Sequence, residues 1–245
     1  MPATAANAVR AEGRPVAQRT IHVIVPIALK EVMEELGPDF ERDTGYRLGT
    51  TLMLNPQVPD YVAAHDDWDI AITNPWHVNE IVAAGHALAE SHRALARSPL
   101  AFGARGVSEA RPTTSSEGIK AALKAAEKIG FTGIGTSGDK FRSLAQSLGI
   151  LTELEGKLVP LEGGGPMRAL QAGEVDLAAL PLTNIAPVAG VSAVAVCPEA
   201  MDVHIDISLC LRPTAPDSVH DLVNWLIDPQ LDDRLRALGA ERFAL

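Results

Sequence analysis

Four pieces of sequence decide how this chain is read: Gly163-Gly164-Gly165-Pro166, a short helical stretch, Gly173-Glu174-Val175-Asp176, and the apolar run Leu177-Ala178-Ala179-Leu180-Pro181-Leu182. Glycines followed by proline suit a helix start, because proline is tolerated in the first turn and glycine lets another group approach the backbone. The apolar run reads as a strand, and the polar pair Thr183-Asn184 closes it. Beyond it the pattern predicts a strand over Val191–Val196, then Pro198-Glu199, a strand over His204–Leu211, and one amphipathic helix running through Asp228-Pro229-Gln230.

Working back towards the N-terminus, Ile21–Val25 reads as a first buried strand ended by Pro26-Ile27-Ala28. A helix is predicted over 29–44, with Leu29, Val32, Met33, Leu36 and Phe40 on a helical period and Gly45 as its C-terminal stop. Strands are predicted at 46–54 and 68–72, with a short helix at 58–64 between them. Thr73-Asn74-Pro75-Trp76 leads from the later strand into a helix over 77–84. A strand at 98–103 follows, then a helix from the capping-box pattern Thr114-Ser115-Ser116-Glu117 to about Ile129. A strand over 131–134, the turn Gly135-Thr136-Ser137-Gly138 and a helix over 139–148 complete the middle. Strands alternating with helices at this spacing predict a parallel α/β sheet.

A net charge of -10 and a pI near 5.1 argue against a nucleic-acid partner, since nothing here would neutralise a row of phosphates. A small anion is not excluded, because helix N-termini create local positive potential inside an acidic protein. With no run of about 18 apolar residues, no membrane insertion is expected. Cys197 and Cys210 fall on neighbouring predicted strands and read as buried apolar thiols, with a disulfide or a nucleophilic role as the alternatives. The histidines lack metal-ligand spacing and no Walker or dinucleotide motif occurs, so no metal and no cofactor is expected. Residues 1–19 are rich in Ala, Arg and Glu and carry no apolar core of a secretion signal. They predict a disordered tail and a cytoplasmic protein, or a periplasmic one if the N-terminus was trimmed.

The order of these parts resembles the molybdate-binding proteins of ABC importers, members of the type II periplasmic-binding-protein class. Phe40–Gly45, Trp68–Thr73, Leu95–Leu100 and Gly173–Leu177 carry the resemblance, which extends over roughly Ile21 to Phe243. It implies an α/β fold of two discontinuous lobes around a ligand cleft: 20–100 with 190–245 as the first lobe, 101–189 as the second. Crossings would lie near Ala101–Gly103 and Pro181–Ala186 and allow hinge closure. Departures fall where the family places ligand donors. Ala28 stands where a serine is usual, Leu54-Asn55-Pro56 replaces a serine cluster, and Pro181 occupies a tyrosine position. The resemblance therefore implies weak molybdate binding or none, and a bulkier or flatter ligand walled by Ile27, Trp76 and Pro166.

The strongest site candidates are Thr136, Ser137, Gly138 and Lys140, where a glycine-rich turn feeds a helix; an ordinary turn with an exposed lysine is the plain alternative. Gly164 and Gly165 offer backbone to a ligand, or simply a flexible loop. Thr73, Asn74, Trp76 and His77 follow a strand at its carboxyl end, where open α/β sheets bind ligands, although core packing explains Trp76 equally well. Thr183 and Asn184 are candidate donors at the second crossing, or helix caps. Ile27, Ala28 and Asn55 complete the expected ligand set.

Three functions are compatible with these residues. One is a solute-binding protein for a small oxyanion or carboxylate, with an ABC importer's membrane component as its implied partner. Another is a cytoplasmic cofactor-free enzyme of isomerase or tautomerase type, using His77 or Lys140 as acid–base group on a small carboxylate. The third is a ligand-sensing module that binds a partner protein.

Overall fold

A computed structural model of the chain describes residues 19–108 and 110–245. The expected tail at 1–19 lies outside the described residues except for Arg19. The described residues form nine β-strands and nine α-helices. The first half holds β1 (Thr20–Pro26), α1 (Lys30–Thr44), β2 (Arg47–Met53), α2 (Val58–Ala64), β3 (Ile70–Thr73) and α3 (Pro75–Ala83). A long strand, β4 (Arg93–Arg105), leads to α4 (Ser116–Ala125), β5 (Ile129–Thr132), α5 (Thr136–Ser147) and α6 (Leu151–Leu154). Then come β6 (Leu158–Leu161), α7 (Gly165–Ala172), β7 (Leu177–Pro181), β8 (Val191–Val196), β9 (His204–Leu211), α8 (Ser218–Leu226) and α9 (Asp232–Ala237).

The strands run in the order β2-β1-β3-β9-β4-β7-β5-β6, with β8 also on β4. Two half-sheets share β4, which makes the fold two-lobed. Its Arg93–Pro99 portion pairs with β9, and its Leu100–Gly103 portion pairs with β7. The expectation of a purely parallel sheet is corrected, since β4 runs antiparallel to β7, β8 and β9, and β3 runs antiparallel to β9. The parallel pairs are confined to β1 with β2 and β3, and β5 with β6 and β7. β8 also departs from the predicted division at 190. It pairs with Ala101–Arg105 in the second half-sheet, so the chain returns to the first half-sheet after Val196, on the way to β9.

Alternation along the strands builds three apolar layers. On β1, Ile21, Val23 and Val25 face a large core under α1, while Ile24 faces the opposite cluster with Val58, Val62 and Val78. On β7, Leu177 and Ala179 face the large core, and Ala178 and Leu180 pack with Ala169 and Leu170 of α7. β4 is longer than the predicted 98–103 because Arg93 and Arg97 interrupt its apolar pattern; Arg97 is ion-paired with Asp206, its register partner on β9. The predicted final helix is two helices. Pro229 has no N–H to continue α8, and Asp228 Oδ1 accepts from Gln230 N at 2.8 Å, which caps the turn that restarts the chain. Cys197 and Cys210 are free and buried, and burial pushes both thiols up to about 12. No helix among the described residues is long and apolar enough to cross a membrane.

Candidate ligand-binding cavity

The carboxyl ends of β1, β2, β5 and β7 converge, and the turns that leave them enclose a cavity of about 30 Å³. Ile27, Ala28, Leu54 and Asn55 come from the first half-sheet, and Thr132, Gly135, Thr136, Ser137, Gly164, Leu180 and Pro181 from the second. Asn184 and Ile205 complete the wall. By the usual space requirement of a buried water, this volume holds about two waters or one small polyatomic anion. Of the apolar walls expected for a bulkier or flatter ligand, Ile27 lines this cavity, whereas Trp76 and Pro166 do not.

α5 aims its N-terminus at the cavity because two contacts fix its first turn and body. Phe141 packs between Phe102 of β4 and Phe131 of β5, at 5.9 and 5.4 Å between ring centroids. Gly138 lies so close to β5 that a Cβ there would overlap the carbonyl oxygen of Thr132. The first intrahelical bond is Asp139 N to Gly135 O, so the N–H groups of Thr136, Ser137 and Gly138 have no acceptor inside the helix. Those donors, with the positive end of the helix dipole, favour negative charge.

No Asp, Glu, Lys, Arg or His side chain lines the cavity. Its side-chain donors are neutral. Asn55 is only 6% exposed, and its Oδ1 accepts from the Thr73 hydroxyl at 3.1 Å. Its amide nitrogen donates to no protein group among the described residues and is left for the cavity. Thr132 and Ser137 add hydroxyls to the same wall.

The candidates from the sequence divide into three groups. Ile27, Ala28, Asn55, Thr136, Ser137, Gly164 and Asn184 line the cavity. Thr73, Asn74, Gly138, Gly165 and Thr183 surround it without lining it. Several of these polar side chains are engaged in protein hydrogen bonds: Thr183 Oγ1 donates to Ala28 O at 2.5 Å, and Asn184 Nδ2 donates to Ile27 O and to Glu31 Oε2. Trp76, His77 and Lys140 belong to a separate, open groove of about 640 Å³ on the far side of Thr136. There His77 Nδ1 lies 2.8 Å from Glu80 Oε2, and neither His77 nor Lys140 reaches the cavity. The enzymatic reading thus has no acid–base side chain at the enclosed site. Thr132 is the polar lining residue the sequence left unmarked; the apolar Leu180 and Ile205 and the turn glycine Gly135 were also unmarked. The one signal for Thr132 was its place at a strand end before the Gly135 turn.

A family model described as bacterial extracellular solute-binding protein matches residues 21–241. The chain belongs to that family. Membership corrects the expected cytoplasmic location, because the family is extracellular and similar structures are described as periplasmic. A comparison with curated proteins by sequence finds no match. Among solved structures, the chain is similar to a periplasmic molybdate-binding protein of Azotobacter vinelandii, with a TM-score of 0.76 at 16% identity, over 90% of this chain and 98% of that one. It is also similar to the substrate-binding domain of a putative molybdenum ABC transporter from Clostridium difficile, with a TM-score of 0.70 at 12% identity, over 93% and 100% of the two chains. A tungstate-binding protein from Desulfovibrio alaskensis aligns with a TM-score of 0.62 at 15% identity, over 93% and 100%. At these identities the likeness establishes the fold and leaves the ligand to the site.

Proposed function

We propose that this solute-binding protein captures a small anion, an oxyanion or a compact carboxylate, and delivers it to the membrane component of an ABC importer. The buried amide of Asn55 carries the reading. The residue is 6% exposed and its side-chain oxygen is engaged by Thr73, which leaves the amide nitrogen as a donor that a ligand in the cavity can complete. The hydroxyls of Thr132 and Ser137 and the open N–H groups of α5 point to the same chemistry. Without a countercharge in the wall, the ligand's charge is met by dipoles and hydrogen bonds alone.

Binding closes two bodies about two crossings, one inside β4 between Pro99 and Leu100 and one in the segment joining β8 to β9. Closure brings the glycine turn before α7 against the first half-sheet. A Cβ on Gly163 would stand 2.6 Å from Ile27 Cδ1 and 3.2 Å from Leu54 Cδ2. Molybdate is expected to bind weakly, because Ala28 and Pro181 line the cavity and offer no side-chain donor.

A thermal-shift screen tests the proposal with molybdate, tungstate, sulfate, phosphate and a set of two- to four-carbon carboxylates. A ligand present at about 100 times its dissociation constant stabilises by roughly 2.7 kcal/mol, a plain rise in melting temperature. At least one anion should produce it. A rise with neutral solutes and none with any anion would overturn the proposal.

A further inference from the structure

Asn74 opens α3 at the position where an asparagine side chain ordinarily caps its own helix, yet it makes no such cap. Its side chain is fully buried and turned the other way. Oδ1 accepts from Thr136 Oγ1 at 2.6 Å, and Nδ2 donates to Asp206 O at 2.7 Å. Asn74 follows β3 in the first half-sheet, whereas Thr136 is the first residue of α5 in the second. The 2.6 Å bond therefore joins the two bodies of the clamp. Thr136 itself stands between the enclosed cavity and the outer groove, lining both.

The link continues away from the cavity. Asp206 carries Asn74 on its carbonyl and holds Arg97 of β4 with both carboxylate oxygens, at 2.6 and 3.1 Å. Arg97 lies two residues before Pro99, the last β4 residue paired with β9. A continuous set of bonds thus runs from the cavity wall to the crossing strand.

From this geometry we infer that Asn74 is a positioning residue, an interlobe latch that holds the first turn of α5 in its ligand-facing place without touching the ligand. The inference rests on the clamp reading above. A hydrogen bond between two bodies exists only while they are together, so it favours closure with or without ligand. Removing it lowers the population of the binding-competent form and with it the apparent affinity. Hydrogen bonds among the residues lining the cavity are unaffected.

Spin-label distances test this without any ligand, so that a failed anion screen leaves the test intact. Labels go on Leu52→Cys and Ile134→Cys, exposed positions that flank the cavity mouth on opposite half-sheets, while the native cysteines are buried and unreactive. The wild-type background should show a populated short-distance form. Thr136→Val, nearly isosteric and lacking the hydroxyl, should raise the open-to-closed ratio about five-fold, the factor for one hydrogen bond of ordinary net strength. Asn74→Ala should do the same, and the double variant should go no further than either single one. Thr136→Ser, which keeps the donor, should restore the short distance. A background with only the long distance, distances unchanged in both single variants, or fully additive effects would each overturn the latch.

Discussion

The enclosed cavity and the outer groove meet at Thr136 and differ in almost everything else. The groove has the conspicuous chemistry, with Trp76 44% exposed beside His77, Asp139 and Lys140, and it is wide open. The cavity has two amides, three hydroxyl residues, glycine and apolar side chains, and it is small and more sheltered than the groove. A residue that is reactive in water gains nothing by being near a ligand if it stays in water. In a sheltered cavity, by contrast, neutral donors gain strength because little solvent competes with them. The comparison favours shelter and available donors over residue type as the guide to the proposed site.

The largest expected effect comes from breaking the wall between the two regions. Gly138→Ala would drive a methyl group into the backbone of β5, which no side-chain rotation relieves. Stability should fall by about 3 kcal/mol, the upper end of ordinary overpacking, and urea denaturation measures it. A fall below about 0.5 kcal/mol would mean that α5 does not need this close approach.

Next comes Gly163→Val, which leaves the wall intact and props the mouth. The new side chain would meet Ile27 and Leu54 across the proposed clamp. Affinity for the anion found by the thermal screen should drop about ten-fold while unliganded stability changes by less than about 0.5 kcal/mol. Equal losses in both would show that the contact is structural and not part of closure.

A smaller effect separates the regions by pH. The cavity has no ionisable side chain, so the affinity of an anion that stays fully charged should be flat between about pH 6 and 9. A change in affinity across that range would instead place the ligand beside the ionisable side chains of the outer groove. Calorimetric titrations of sulfate, or of another strong-acid anion, across that range distinguish the two.

Much of the fold was legible because it rests on local periodicity. The helical spacing of Val32, Met33, Leu36 and Phe40 marked α1, and Gly45 ends it in the left-handed conformation. The runs at Leu177–Pro181 and His204–Leu211 were strands as expected. What escaped were features set by partners far along the chain. Strand direction depends on which strand arrives beside which, so the antiparallel β9 and the pairing of β8 with β4 left no local mark. Half of β4 was hidden because Arg97 is neutralised by Asp206, 109 residues away in sequence. At the site, turn chemistry indicated Thr136 and Ser137, and the family resemblance indicated Asn55. Nothing in sequence distinguished Asn74, whose amide is spent on Thr136 and Asp206, from Asn55, whose amide is free.

The central claim is that an anion is held by neutral donors in the enclosed cavity. Isothermal titration of the anion selected by the screen, into the wild-type protein, Asn55→Leu and Lys140→Met, tests it most directly. Loss of a buried donor to a charged ligand should weaken binding by about 10- to 100-fold in Asn55→Leu. Lys140→Met, which alters only the outer groove, should bind within about two-fold of wild type. Undiminished binding by Asn55→Leu together with a large loss in Lys140→Met would contradict the claim and move the ligand to the groove.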